Sequence, residues 1–594
     1  MCAFFSLPIL AQDTQLALKY FQDQEYDKAV VLLQKIFEAK PNRNVFRYYV
    51  RSLSALKQFD KAEDVTKAEM KRSPDDPNYP IELGSLYKAQ DKPDKAKKIF
   101  DGIIDNLRED QAYIQTCAAG FSERSEFEYA LRVYDKGIRL GGSSEFFRME
   151  KARIYSLTRN YQAMVAEYLD LIETTPTYMS VVQSNLQYYL SFDVDNNLVD
   201  IIRTQCFARL RIKPDQIVFA QMLSWIFIQE KKFDQALVQV KAIDLRMGSS
   251  GQVLSEFALV ALNNNEYSVA RKAYQAIIDF KDKPTPAMRV SAQAGILKAA
   301  FLELTNAELP SGELATILES GLQELIVNQP NLTNADPIAQ LAEIQAFYLS
   351  KSDSAITLLT RTLQTRRFPQ DQMAQLEMLL GDIYLAAENP WDAILTYGRV
   401  EKANHLNDVG SEAKFRKTKV AYFTGDFEWA KTQLDILKAS TSKLIANDAL
   451  ALYLLIDDNT SGDSVETPLK RFANAQMLLI QRRKLAAYDS LSAIIRDFPN
   501  ETIAENSLLE RAKLSEFLTK NEQALADYKL IFTKFEFSVL ADDAMIRSAQ
   551  IYERTNQPEL AKNMYQEFLT KYKGSVFTNI ARTQFRLLRG DKLQ

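Results

Sequence analysis

One interval constrains this 594-residue chain more than any other feature: a small residue returns about every 34 positions. Tyr26-Asp27-Lys28-Ala29 is followed four residues later by Leu33. The pattern recurs as Phe59-Asp60-Lys61-Ala62, Pro93-Asp94-Lys95-Ala96 with Phe100, Phe127-Glu128-Tyr129-Ala130 with Tyr134, and Tyr161 with Met164 and Tyr168. These anchors, 29, 62, 96, 130 and 164, lie 33, 34, 34 and 34 residues apart. Later anchors are Ala236, Ala270, Ala355, Ala393, Ala430, Ala487, Ala524 and Ala561. Upstream of the anchor sits a second apolar set, such as Leu16-Ala17 with Tyr20, Leu83-Gly84 with Tyr87, or Leu380-Gly381 with Tyr384. The i, i+1, i+4 spacing marks one helix face. Pro41, Pro74, Pro176 and Pro499 each fall twelve residues past an anchor, where proline forces the preceding residue out of the α region. The unit is therefore a pair of antiparallel helices. A lone hairpin cannot bury its apolar face, so neighbouring hairpins must stack.

Composition agrees. Glycine and proline number only 18 each, too few turn-formers to punctuate a β-sandwich or barrel. With 46% hydrophobic and 25% charged residues, the chain is globular, not disordered. The net charge of −4, from 73 basic and 77 acidic residues, argues against a dedicated binder of nucleic acid or anionic membrane. One histidine and three cysteines exclude His-rich metal sites and a disulfide framework. The sequence contains no Gly-x-Gly-x-x-Gly, Gly-x4-Gly-Lys, Cys-x-x-Cys, His-Glu-x-x-His or Gly-x-Ser-x-Gly. His405 reads as part of an exposed connection. Cys117 stands where other repeats carry Leu16, Leu83 and Leu380, as a buried structural thiol, and Cys206 is too many helices away to bridge to it. The carboxylate pairs Asp75-Asp76, Asp457-Asp458 and Asp542-Asp543 read as turns or helix starts. The basic clusters Lys414–Lys419 and Arg482-Arg483-Lys484 read as solvated helix faces.

The Leu-Gly-xx-Tyr sets, the downstream alanine, the aromatic four residues later and the closing proline resemble the tetratricopeptide repeat family, over most of residues 12–281 and 336–590. The resemblance implies an all-α fold, a right-handed α-α superhelical solenoid of about 13–15 hairpins. Val576–Leu588 would be its C-terminal capping helix. From Arg471 on, the anchors are spaced 37 and 37. These longer repeats resemble those of Gram-negative envelope proteins, the outer-membrane assembly lipoprotein and the periplasmic Tol-Pal coordinator, although proline persists only at Pro499. Residues 179–214 read as a degenerate unit. Residues 282–335 hold two longer helices, Ala287–Leu304 and Gly312–Val327. The stretch 457–468, after an extra helix Leu444–Ile456, reads as a loop and boundary. The expected organisation is a leader remnant over 1–11, an N-terminal array over 12–281, a middle region of degenerate and repeat-like helices over 282–457, and a C-terminal array with its cap over 458–594.

Met1–Leu10 is apolar and uncharged and precedes Ala11-Gln12. It reads either as the end of a secretory leader cut after Ala11, with no positive n-region in view, or as an apolar start packed on the first helix. No later stretch has the ~18 uninterrupted apolar residues of a membrane span. The family resemblance puts the first helix of each hairpin on the concave surface. By it the groove candidates are Ile81, Ser85, Met149, Arg153, Gln221, Trp225, Ile228, Met378 and Asp382. Trp225 is either an exposed hot spot or buried by the degenerate unit beside it. The ordered Lys/Asn/Asn/Lys/Arg set that clamps a C-terminal carboxylate in some family members is missing, so an extended peptide or a helix suits the groove better. The expectation is a non-enzymatic protein–protein interaction scaffold without cofactor, catalytic or metal residues. It would be exported to the periplasm or the outer membrane and bind envelope proteins, with peripheral membrane contact allowed and no nucleic acid. The alternative is a cytoplasmic adaptor or regulatory protein.

Overall fold

The computed structural model describes residues 7–193, 197–280, 284–307, 310–329, 332–439, 442–460 and 466–591, with side chains from Asp13 onward. Among these residues every regular element is helical. The chain forms two compact units, one reaching to Ser249 and the other starting at Ser250.

The first unit contains seven hairpins: α1 (Leu7–Gln22) with α2 (Tyr26–Ala39), α3 (Arg43–Ala55) with α4 (Phe59–Arg72), α5 (Asn78–Ala89) with α6 (Pro93–Asp105), α7 (Gln111–Ser122) with α8 (Phe127–Arg139), α9 (Ser144–Leu157) with α10 (Tyr161–Thr174), α11 (Met179–Leu190) with α12 (Asn197–Ile212), and α13 (Ile217–Gln229) with α14 (Phe233–Met247). The unit that reads as degenerate is thus a complete hairpin, preceded by a short 3-10 turn over Pro176–Tyr178.

The second unit contains eight hairpins and two single helices. They are α15 (Gln252–Asn263) with α16 (Tyr267–Asp279), α17 (Pro286–Asn306) with α18 (Gly312–Asn328), α19 (Asp336–Phe347) with α20 (Ser352–Thr365), α21 (Gln370–Ala386) with α22 (Pro390–Ala403), and α23 (Asp408–Thr424) with α24 (Phe427–Leu437). The single helix α25 (Lys443–Thr460) follows, then α26 (Thr467–Ile480) with α27 (Lys484–Asp497), α28 (Ile503–Phe517) with α29 (Asn521–Lys534), α30 (Ala541–Arg554) with α31 (Pro558–Lys571), and the closing α32 (Thr578–Arg589). The loop reading over 457–468 is corrected on both sides. Helix α25 continues to Thr460, and Thr467 and Pro468 open α26, with proline at a first-turn position where its missing N–H costs nothing. Residues 461–465 lie outside the described residues, as do Met1 to Ser6 of the leader reading and Cys2 within it.

Every anchor is buried. Ala29, Ala62, Ala130, Met164, Ala236, Ala270, Ala355, Ala393, Ala430, Ala487, Ala524 and Ala561 are 0% exposed, and Ala96 is 1% exposed. Ala315, the fourth residue of α18 and also 0% exposed, is an anchor that the interval alone does not single out. The small residue upstream has a matching role. A Cβ built on Gly84 would lie 2.1 Å from the ring of Phe100, and one on Gly381 would lie 2.4 Å from the ring of Tyr397. Each aromatic sits four residues past its anchor and occupies the space that the missing side chain leaves. Burying one such ring contributes about 2–3 kcal/mol. The four prolines stand two residues beyond the ends of α2, α4, α10 and α27.

A second regularity is in the backbone. The residue five before the anchor has positive φ at Gln24, Lys57, Asp91, Ser125, Arg159, Lys231, Asn265, Ser350, Glu388, Arg482, Thr519 and Asn556, and at Gly425. At most of these turns the next N–H reaches back to the carbonyl five residues earlier, as from Lys92 to Tyr87 at 2.9 Å and from Asn389 to Tyr384 at 2.9 Å. This is the Schellman closure of a helix C-terminus. It turns the chain within about three residues and sets the next anchor in register.

Gly84→Val will lower stability by about 2–3 kcal/mol through overpacking against Phe100. Combining it with Phe100→Ala will cost less than the sum of the two changes in urea denaturation; strict additivity would show that the two positions do not share space. Glu388→Gly, at an exposed position with φ 62, will gain about 0.5–1 kcal/mol, and Gly425→Val will lose at least as much.

Candidate partner-binding groove

In the second unit the helices α19, α21, α23, α26 and α28 line a continuous groove, with α25 packed along it. Three cavities of about 450, 580 and 480 Å³ open into each other. The first two share Phe415, Lys419, Phe423, Asp448, Leu479 and Ile480, and the first and third share Leu379, Asp382, Glu412 and Arg416. Helix α23 packs against both α25 and α26, so the inserted helix forms a wall without breaking the stack. The turn after α26 reaches across the groove. Gln481 Nε2 donates to the Ala386 carbonyl at 3.1 Å, and Arg482 Nη2 donates to Glu343 Oε1 at 2.8 Å.

The floor is a charged network. Arg416 donates to Asp382 Oδ2 at 2.6 Å and to Glu412 Oε1 at 2.8 Å, and the Tyr397 phenol donates to Asp382 Oδ1 at 2.6 Å. Burial raises the Asp382 carboxyl above its ordinary value, although Arg416 and Tyr397 pull it down. Burial likewise raises Glu343 against the opposing pull of Arg482. Lys419 differs from its neighbours. Its ammonium lies 5.8 Å from the Phe415 ring centroid and 5.7 Å from that of Phe423, and burial followed by Arg416 lowers its pKa.

Three sequence readings change here. The stretch Lys414–Lys419 is not a solvated face: Thr418 is buried, Arg416 and Lys419 face the groove, and Lys417 pairs with Glu401. Arg482 closes the groove, and Lys484 lies 3.4 Å from the centroid of the Phe517 ring. Successive residues of one helix point in different directions, so a charge run in sequence is not a patch in space. The pair Asp457-Asp458 belongs to the last turn of α25, not to a turn or helix start, and Asp457 pairs with Lys431 at 2.8 Å. The other two pairs stand as read, Asp75-Asp76 before α5 and Asp542-Asp543 in the first turn of α30.

Of the nine candidates, Met378 and Asp382 come together on the groove wall. The other seven belong to the first unit, spread over α5, α9 and α13. Ile81 is corrected as a groove residue: it is fully buried, its Cδ1 2.9 Å from where Gly120 would carry a Cβ. Ser85 is half-buried and donates to the Ile81 carbonyl at 3.1 Å. Arg153 is exposed and tied to Glu150 at 2.7 Å. Met149, Gln221, Trp225 and Ile228 are half-buried. The most exposed tryptophan is Trp391, 77% accessible on α22, which the sequence reading leaves out because it occupies an anchor helix. His405 is exposed, with Nδ1 3.3 Å from the Lys402 carbonyl. Cys117 and Cys206 are free and buried, and burial pushes each thiol up to about 12. Among the described residues no group of three His, Cys, Asp or Glu side chains could hold a metal ion, and no helix is long and apolar enough to cross a membrane.

The anchors, hairpins and groove define an all-α helical-repeat protein. No family model matches the chain, and no curated protein matches it. Solved structures that it is similar to include Naa15/Naa10 bound to HypK-THB, at 12% identity over 98% of this chain and 96% of that chain with a TM-score of 0.28. Others are the APC/C hetero-tetramer Cut9-Hcn1, at 11% identity over 96% and 95% with a TM-score of 0.22, and a tetratricopeptide repeat protein from Parabacteroides merdae, at 15% identity over 49% and 99% with a TM-score of 0.20.

Lys419→Met will stabilise the protein by roughly 1 kcal/mol at pH 7, because it removes a buried charge that among the described residues makes no ion-pair contact, the nearby Asp382, Glu412 and Asp448 offsetting its burial only in part. With the Lys419 pKa lowered from 10.5 in the folded state, the unfolded chain binds more protons between the two values, so the parent gains stability as pH rises there. The gap between parent and variant will therefore narrow as pH approaches 10.5. A gap that stays constant in urea titrations across this range would contradict the assignment.

Proposed function

We propose that this protein is a non-enzymatic scaffold whose groove in the second unit docks a helical or extended segment of another protein. The observation that carries the reading is the continuous groove with apolar walls and a pre-paired charged floor. Arg416, Asp382, Glu412 and Tyr397 satisfy one another, so the floor is preorganised and a partner need not reorder it. Leu479 and Ile480, on the wall shared by two of the cavities, are half-buried and offer apolar contact. Docking along such a surface distributes specificity over many modest contacts. The apolar run Met1–Leu10 before Ala11 supports an exported protein of the periplasm or the outer membrane, with envelope proteins as its partners.

A photo-crosslinking residue at Leu479 will capture a partner protein in the native host, and one at the outward Leu395, 66% exposed on α22, will not. Leu479→Asp, with its helicity checked by circular dichroism, will reduce recovery of that partner at least tenfold. Equal capture from both positions would overturn the groove assignment. Expression from the native start, followed by fractionation and intact-mass measurement, will place the chain in the envelope with its N-terminus trimmed near Ala11. Uncleaved cytosolic protein would refute export and favour the adaptor alternative.

A further inference from the structure

Two neighbouring cavities of the groove differ in charge. In the one of about 450 Å³, Arg416 neutralises Asp382 and Glu412, and Arg482 neutralises Glu343. The one of about 580 Å³ is lined by Asp448, Asp458, Glu505 and Glu510, with Lys419 the sole cation on its wall among the described residues. Glu510 pairs with Lys513 at 3.2 Å, and Glu505 accepts a hydrogen bond from Ser538 while burial raises its pKa. Asp448 and Asp458 are exposed, and among the described residues neither makes an ion pair or hydrogen bond, Asp448 sensing only the charge of Lys419. The remaining lining is largely apolar: Tyr422, Leu455, Leu479, Ile480, Leu509 and Val539. Asp448, Ala451, Leu455 and Asp458 follow one another at intervals of three and four along α25, so they share one helix face. The two aspartates stand about 15 Å apart along that face at 1.5 Å per residue.

We propose that this cavity docks a cationic amphipathic helix of a partner protein. The proposal rests on the scaffold reading above and names its occupant. The apolar lining accepts the partner's leucine-type face. Asp448 and Asp458 receive two basic side chains three turns apart, and Glu505 and Glu510 on α28 face the opposite side of the same segment. An anionic segment would meet Asp448, Asp458 and Glu505, with Glu510 already paired to Lys513, against the single ammonium of Lys419, and is rejected by like charge. A neutral helix would desolvate the two aspartates without bringing them an ion-pair partner.

The test uses fluorescence anisotropy on the full chain with three labelled 18-residue probes: an amphipathic Leu/Lys helix, the same peptide with Glu in place of Lys, and a scrambled Leu/Lys peptide. The amphipathic cationic peptide will bind at least tenfold more tightly than either control, and its affinity will fall as salt rises. Combining Asp448→Asn, Asp458→Asn and Glu505→Gln will weaken it at least tenfold. Glu428→Gln, on the exposed face of α24, will leave it unchanged. Binding of the anionic or scrambled peptide within threefold of the cationic one, or an unaltered affinity in the triple variant, would overturn the proposal. So would light scattering that shows the chain occupying this groove with a second copy of itself through the same carboxylates. If the cationic peptide fails while the crosslinker at Leu479 still captures a protein, the choice of occupant falls and the scaffold reading stands. If both fail, both fall.

Discussion

The structure depends on a close approach between two helices at a position where one of them has almost no side chain. Gly84 against Phe100 and Gly381 against Tyr397 show it most directly, since a single added carbon would lie only 2.1 and 2.4 Å from the ring. The anchor alanine, four residues before the aromatic, lets the next helix come equally near. Because each hairpin is closed on one side only, its exposed apolar flank is satisfied by its neighbour, and burial accumulates by stacking. That is why every anchor is buried in both units.

The same close packing explains why so few glycines suffice. A hairpin this tight needs a left-handed residue at the end of its first helix, and that conformation costs an ordinary residue about 1–2 kcal/mol. Glycine takes the position at Gly425; elsewhere Gln, Lys, Asp, Ser, Arg, Glu, Thr or Asn adopts it. The strain is offset by the Schellman hydrogen bonds and by the burial that correct register secures. Three polar side chains extend this economy. Tyr397, Tyr528 and Tyr565, each four residues past an anchor, turn their hydroxyls to Asp382, Glu516 and Glu553 at 2.6, 2.9 and 2.8 Å. A large ring can then fill the core without leaving its oxygen unsatisfied.

Much of the fold was legible because its period is longer than any local accident. The anchors and the prolines two residues past helix ends could be read from spacing, and the pair of helices in 282–335 from the prolines that break that stretch. The left-handed turn could not, because the residue types that adopt it share no obvious signature. Ile81 was misplaced for a related reason: one residue of rotation on α5 separates the groove from the packing face, and Gly120 on the next hairpin decides between them. Lys414–Lys419 read as one solvated patch because sequence shows a charge run but not the direction of each turn. The partners that fix those side chains, Asp382 and Glu401, lie 34 and 16 residues away.

Helix α25 shows how a repeat protein acquires a site without changing its repeat. The anchors Ala430 and Ala487 stand 57 residues apart, and the excess over the 37 that follows is close to the 18 residues of α25. The stack itself continues through the insertion, since α23 still packs on α26. The added helix buries Ile445, Ala449 and Ile456 and turns Asp448, Ala451 and Leu455 toward the cavity. It therefore converts an open face of the stack into a walled groove. Because hairpin packing is local, such an insertion costs the neighbouring hairpins little, and the groove is free to change its chemistry while the anchors hold the fold.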